Sequence, residues 1–222
     1  MEGRLKQPTG RYAGKSASER KAERRRKFLD AGLRLFGDSP GYRATTVAAL
    51  SEAAGLSTRQ FYEEFRGLED VLAALHLQVN DLAEEAATEA LARNAAQLPL
   101  PERVAAVFRA YATSVTTDPR RLRITFTEII GVSARMDRQR LARRSRWIEL
   151  LCAEAAAAAA RGEIADRDFR ITAAAFIGSV NGLLHDWAAG WVDATLDEVI
   201  EELTHLLLAG FAAPRSGGDP RP

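Results

Sequence analysis

Thr58, Arg59, Gln60 and Tyr62 are the residues of this chain whose types and spacing support a recognisable chemistry. A guanidinium can donate to O6 and N7 of guanine together, and a glutamine amide can engage adenine in the same two-point manner. Serine, threonine and tyrosine hydroxyls more often bond phosphate oxygens, which fixes register without reading sequence. The four residues follow Ser57 behind a glycine, Gly55, and so open a short helix. Side chains at the start of a helix that lies in the major groove are the ones nearest the base edges. On this reading Arg59 reads bases, while Thr45, Thr46, Ser57, Thr58 and Tyr62 contact phosphates. Tyr62 has the alternative of a partly buried aromatic. Gln60 has two open assignments, reading adenine or closing a capping box with Ser57.

Other chemistries find little support. His76, His185 and His205 are isolated, and none has metal-ligand spacing with Cys152 or with another histidine. His185 and Asp186 diverge by about 100° on a helix and cannot share a hydrogen-bonded face. The chain has no glycine-rich phosphate loop and no nucleophile elbow. Cys152 lacks an evident base, so a structural thiol is expected. These absences argue against an enzyme, and no cofactor or metal is implied.

The elements that must position Arg59 can be read from the flanking residues. Val47, Leu50 and Ala54 recur at helical spacing and share a face. Thr45 or Thr46 supplies the N-cap, and Gly55 stops the helix. A second helix opens at Ser57, with Gln60 three residues on and Phe61 and Phe65 turned inward beside Leu56. Two helices this short cannot bury their phenylalanines alone, so a preceding helix must cover them. It is predicted from about Ser18 to Phe36, with Leu29, Leu33 and Phe36 on one stripe, and Gly37, Pro40 and Gly41 behind it. Its first half carries Arg20, Lys21, Arg24, Arg25, Arg26 and Lys27.

In order and spacing these parts resemble the TetR family of transcriptional regulators. The resemblance is carried by Phe36, the segment Gly41–Val47 (GYRATTV), Ala53–Ser57 (AAGLS), Phe61–Tyr62, Phe65 and the LEDVLAAL run from Leu68, and it covers about residues 20 to 75. It implies an all-α protein in which a three-helix helix-turn-helix DNA-binding domain is followed by a helical ligand-binding and dimerisation domain. Tyr62 matches a position that commonly touches the DNA backbone. The sequence departs from the family pattern at Leu68, where a phosphate-binding lysine is usual, and Arg66 is the substitute it offers. Glu63 and Glu64 stand where aromatic or basic residues are common, and would repel phosphate unless they point away.

Charge distribution agrees with a DNA-facing N-terminal end. Residues 1–66 hold 14 basic and 8 acidic side chains, whereas the remainder carries a net charge of −5. Such asymmetry is expected when one end meets phosphate, although a basic run is also compatible with a solvated helix face. Residues 1–17 form a basic arm, in which Arg4, Lys6, Arg11 and Lys15 alternate with glycine and proline. Such an arm could enter a minor groove or remain solvated. One cysteine suits a reducing cytoplasm, Met1–Lys27 does not resemble a signal peptide, and no apolar run is long enough to span a bilayer.

From Leu68 onward the pattern predicts helices separated by short breaks. They run from Leu68 to about Ala95, from Val104 to before Asp118, over Arg120–Ile130, and from about Met136 to Arg161; two more cover about Asp168–Gly190 and Leu196–Phe211. The boundaries so drawn are a helix-turn-helix domain at 18–67, a regulatory domain at 68–213 and a tail at 214–222. The last two helices carry the stripes Phe176, Val180, Leu183, Trp187 and Leu203, Leu206, Leu207, Phe211. The resemblance implies that this pair builds a four-helix bundle with a twin in a homodimer; plain monomer core would look the same. It also implies a small-molecule cavity among the middle helices. Phe108 and Tyr111, then Phe126 and Ile130, then Trp147 and Leu151 are the candidates for its wall, with Asn181 as a polar contact. Arg120, Arg121 and Arg123, and the cluster Arg138, Arg140, Arg143, Arg144 and Arg146, could hold an anion at its mouth or lie on solvated faces. The expected partners are therefore double-stranded DNA, a small apolar inducer and a second copy of the chain. A helical small-molecule-binding protein that holds nucleic acid only loosely is the alternative.

Overall fold

The computed structural model describes residues 16–38, 41–94 and 98–212 of the 222-residue chain. Among these residues every regular element is helical, as the patterning predicts. Pro40, the basic residues of the arm and the tail from Pro214 lie outside them.

Helix α1 spans Ala17–Gly37 and starts at a full capping box. The Ser16 hydroxyl accepts from Glu19 N at 3.2 Å, while Ser16 N donates to the Glu19 carboxylate at 2.6 Å. The buried stripe of α1 is Phe28, Ala31, Gly32 and Phe36. It lies one residue round from the predicted stripe, and Leu29 and Leu33 are half-buried at its flank. Gly32 accounts for the offset: a Cβ there would sit 2.8 Å from Val71 Cγ1, so the backbone of α1 itself meets the next long helix.

The short helices follow the predicted bounds closely. Helix α2 covers Val47–Ala54 and is capped by Thr46, whose hydroxyl accepts from Ala49 N at 3.1 Å. It ends at Gly55, whose φ of +66° is left-handed and free of strain only for glycine. Helix α3 covers Thr58–Glu64.

Helix α4 (Leu68–Asn94) leads into α5 (Leu100–Thr116). Pro99 and Pro101 start α5 rather than merely breaking the chain, since first-turn N–H groups have no intrahelical acceptor to lose. Asp118 caps the five-residue α6 (Pro119–Arg123), which widens into a π-helical turn over Ile124–Glu128. Helices α7 (Ala134–Ala160), α8 (Arg170–Ala188) and α9 (Leu196–Ala212) complete the fold.

Two apolar cores result, and α4 serves both. One joins Phe28, Phe36, Leu50, Phe61 and Phe65 to Val71, Leu72 and Leu75 of α4 and to Ile124, Ile129 and Met136. The other gathers Val79 and Ala83 of α4, Phe108 and Ala112 of α5, Ala155 and Ala158 of α7, and Phe176, Leu184, Leu203 and Leu207. The alanine tract of α7, which looks coreless in sequence, supplies two fully buried residues because small side chains let helices approach closely. No helix among the described residues is long and apolar enough to cross a membrane.

Candidate nucleic-acid interface and regulatory cavity

Helix α3 is fixed from within and bare on its outer side. Phe61 is fully buried, its ring 5.5 Å from Phe28 and nearly perpendicular to it, and 5.8 Å from Phe65 in a stacked arrangement. Opposite that face, Thr58, Arg59 and Tyr62 are exposed. Arg59 is 89 % exposed, with Nε 3.4 Å from Glu63 Oε1. An exposed pair of this kind contributes about 0.3–0.5 kcal/mol, little enough to be given up to a base edge. Gln60 closes the capping box: its Oε1 accepts from Ser57 N at 3.0 Å and from Ser57 Oγ at 3.1 Å. Its carbonyl oxygen is thereby taken, and the two-point contact with adenine is not open to it without breaking the cap. Thr46 uses its oxygen as the α2 cap and keeps a free hydroxyl proton on an exposed side chain. Thr45 departs from its expected place at the phosphate. It is buried, and its hydroxyl donates to Gly41 O at 2.9 Å.

Part of the basic run on α1 works inside the domain. Arg24 donates to Glu64 Oε1 from Nε at 3.2 Å and from Nη2 at 2.9 Å, and the Glu64 side chain is only 1 % exposed. Arg25 lies 4.4 Å over the Phe65 ring and reaches Glu64 O at 3.4 Å. Glu64 therefore points inward, away from any phosphate, and its charge is met by α1. Lys21, Arg26 and Lys27 remain on the surface, as does Arg66, whose backbone N–H donates to Asp70 at 3.1 Å.

The second site is a cavity of about 420 Å³ walled by α4, α5, α7, α8, α9 and the π-turn. All seven predicted wall residues line it. Phe108 and Tyr111 stack at 5.7 Å, and Tyr111 meets Trp147 edge-on at 5.1 Å. Burial pushes the Tyr111 phenol well above the usual tyrosine range. Ile130, half exposed, lies at the rim.

Several wall residues were not foreseen. His76 is buried, and its Nδ1 accepts from Gln139 Nε2 at 3.1 Å, because that amide also donates to Ala73 O at 2.9 Å. Its proton therefore sits on Nε2. Burial, with Arg143 and Arg140 nearby, lowers its pKa to about 4 and keeps it neutral at physiological pH. Arg103 is buried between Glu154, at 3.0 Å, and both oxygens of Glu163. His185, Thr125, Asn80 and Thr88 add further polar groups to the wall, and of the α7 arginines Arg140, Arg143 and Arg144 reach it. Arg120, Arg121 and Arg123 do not reach the cavity. They bind Asp118, Ser114 O and Glu128 instead.

Comparison with known proteins agrees with this arrangement. Residues 28–75 match the profile of bacterial regulatory proteins of the tetR family, and residues 97–211 match that of the tetracyclin repressor-like C-terminal domain. The chain belongs to the TetR family. As such it is a DNA-binding transcriptional regulator. No curated protein matches it. Among solved structures, the fatty acid degradation regulator FadR from Bacillus halodurans is similar with a TM-score of 0.72 at 16 % identity, over 84 % of this chain and 95 % of that one. FadR from Bacillus subtilis, solved in complex with stearoyl-CoA, is similar with a TM-score of 0.71 at 16 % identity, over 83 % and 98 % of the two chains. The regulator PfmR from Thermus thermophilus gives 0.61 at 24 % identity, over 84 % and 99 %. At these identities the likeness is one of fold.

In this TetR-family chain the π-turn touches both sites. Ile124 enters the core of the DNA-binding domain, whereas Phe126 and Thr125 face the cavity. Glu128 at the end of the turn accepts from Tyr42 N at 3.0 Å and from Arg123 Nη2 at 2.6 Å. On the other side, His185 Nδ1 donates to Phe126 O at 2.9 Å; a carbonyl can only accept, so this ring carries its proton on Nδ1. The residues that join the two sites are far apart in sequence, and no local pattern announces them.

Proposed function

We propose that the chain is a homodimeric repressor that binds a roughly palindromic operator and is released by a small, largely apolar inducer. The observation that carries the reading is α3, whose inner face is locked by Phe61 while Arg59, 89 % exposed and paired with Glu63, stands on the outer one. Arg59 reads a base; Thr46, Ser57, Thr58, Tyr62 and Arg66 hold the backbone. Thr45 plays no part in that set. The inducer occupies the cavity, touching Phe108, Tyr111, Phe126, Trp147 and Leu151, with Ile130 at the rim and Asn181 as a polar contact.

Selection of bound duplexes from a random pool tests the reading directly. A two-fold symmetric site should emerge, bound at least ~10³ more tightly than random duplex at the same salt concentration. Absence of any preference would instead favour a helical ligand-binding protein with loose affinity for nucleic acid. Arg59→Ala should weaken operator binding by about 1–3 kcal/mol and relax the sequence at one position. Equal losses on every duplex would make Arg59 a phosphate contact.

Dimerisation is supported by the small residues of α8 rather than by its large apolar stripe. Phe176, Val180, Leu203 and Leu207 are spent on the monomer core, and Leu184 replaces Leu183 as the fully buried leucine. The exposed stripe of α8 is Ile171, Ala175, Gly178 and Gly182, with Ile171 85 % exposed; Gly182 also borders the cavity. A Cβ at Gly182 would meet nothing within 4 Å, so the chain's own packing does not require glycine there. A close partner helix would. Gly182→Arg should leave a folded protein, helped by roughly 1 kcal/mol of helix propensity, that sediments as a monomer and loses operator binding. An unchanged dimer would place the interface elsewhere.

A further inference from the structure

The arginines of α7 fall into two sets. Arg135 pairs with Glu69 and Asp70, Arg143 with Asp81 and Glu84, and Arg146 with Glu84, which ties α7 to α4. Arg140 and Arg144, four residues apart on one face of the same helix, have no carboxylate within ion-pair distance among the described residues. Both line the cavity, and the Nε of each is sealed from solvent without a hydrogen-bond partner. Arg144 is oriented by one bond from Nη2 to Ala174 O at 3.0 Å, whereas Arg140 makes no hydrogen bond within the described chain. Thr125 Oγ1, on the π-turn and in the same wall, is likewise sealed and unpaired.

Six buried side-chain N or O atoms lack a partner among the described residues, and three of them lie in the wall of this one cavity. Buried polar groups are normally satisfied, and leaving a charged one unmet is the costlier case. The other ionisable groups of the wall do not answer them. Arg103 is held by Glu154 and Glu163, Arg143 is paired on α4, and both histidines are hydrogen-bonded. The wall is left with two positive charges that no protein carboxylate compensates, beside an apolar surface formed by Phe108, Trp147 and Phe176.

We propose that the cavity binds an amphipathic anion, its carboxylate or similar single-charged head held by Arg140, Arg144 and Thr125 and its apolar body lying against Phe108, Trp147 and Phe176. The inference deepens the ligand-responsive reading above and rests on it for its regulatory meaning, but replaces a merely apolar inducer with one that carries a charge. The guanidinium N–H groups of both arginines and the threonine hydroxyl are donors, and an ionised head of this kind only accepts.

The test is calorimetric titration of the full chain, without DNA, by decanoate and by decan-1-ol, which share an apolar body and differ in the head. Decanoate should bind at least tenfold more tightly. The double variant Arg140→Gln, Arg144→Gln should lose that advantage and bind the two equally. Arg138→Gln, on the exposed side of the same helix and outside the cavity wall, should retain it. Equal affinities for acid and alcohol, or decanoate binding that ignores the double variant, would overturn the proposal. The comparison of acid with alcohol uses only the unaltered chain, so it decides the matter even if the variant does not fold. Decanoate bound through the two arginines without any effect on the operator complex would uphold the anion site and remove its regulatory role. Release of the operator by decan-1-ol alone would do the reverse.

Discussion

Replacing Phe61 with alanine should cost about 3–5 kcal/mol of stability and abolish operator binding. The ring is fully enclosed and meets both Phe28 and Phe65. Its removal takes away the transfer free energy of a large aromatic side chain and leaves a cavity that α3, only seven residues long, has little capacity to close. The loss is transmitted to function because Thr58, Arg59 and Tyr62 are held in place only by the inner face of that helix. Phe61→Leu keeps much of the volume and should cost less than half as much. Urea denaturation followed by circular dichroism, with duplex binding measured in parallel, reads both effects. An alanine variant as stable as the parent chain would mean that the aromatic cluster does not anchor α3.

Acidification should destabilise the chain by about 3 kcal/mol through His76 alone. The ring is buried, and its pKa is lowered from 6.5 to about 4, by burial first and then by the positive charges of Arg143 and Arg140. For a histidine held neutral in the folded state, the unfolded chain binds the proton more readily. Stability is therefore full above pH 6.5, falls as the pH is lowered toward 4, and levels off once the folded ring is also protonated. His76→Gln should flatten the profile between pH 6.5 and 4.5. Glu163, lowered by its bonds to Arg103, and Asp118, lowered by Arg120, act in a separate window that begins near their ordinary values of 4.5 and 3.8 and extends downward. Denaturation midpoints of the two proteins over pH 4 to 8 check the sign. A variant with the same slope as the parent would show that His76 does not titrate in this window.

The parts legible in the sequence were those set by local rules. Caps, a glycine stop and the i, i+4 pair Phe61 and Phe65 gave α2 and α3 to within a residue. The aromatic residues of the cavity wall also stood out, because large apolar side chains at helical spacing on the middle helices converge. The stripe of α1 was misplaced by one residue because Ala31 and Gly32 carry no large side chain to mark the face that packs. The inward turn of Glu64 depended on Arg24, forty residues earlier, and Arg103 found its carboxylates 51 and 60 residues later. Pairings of that range leave no periodic trace. The arginines of α7 show the same limit, since their spacing cannot tell which will meet a carboxylate on α4 and which will face the cavity.

The widened turn at Ile124–Glu128 has a consequence for any attempt to transplant the DNA-reading end of this molecule. Ile124, Ile129 and Met136 close the floor beneath Phe28 and Leu50, although they come more than fifty residues after the last helix-turn-helix residue. A chimaera cut after residue 67 would carry the recognition helix but leave its hydrophobic underside open to water. The portable unit is discontinuous, and a graft would have to bring both stretches of chain together.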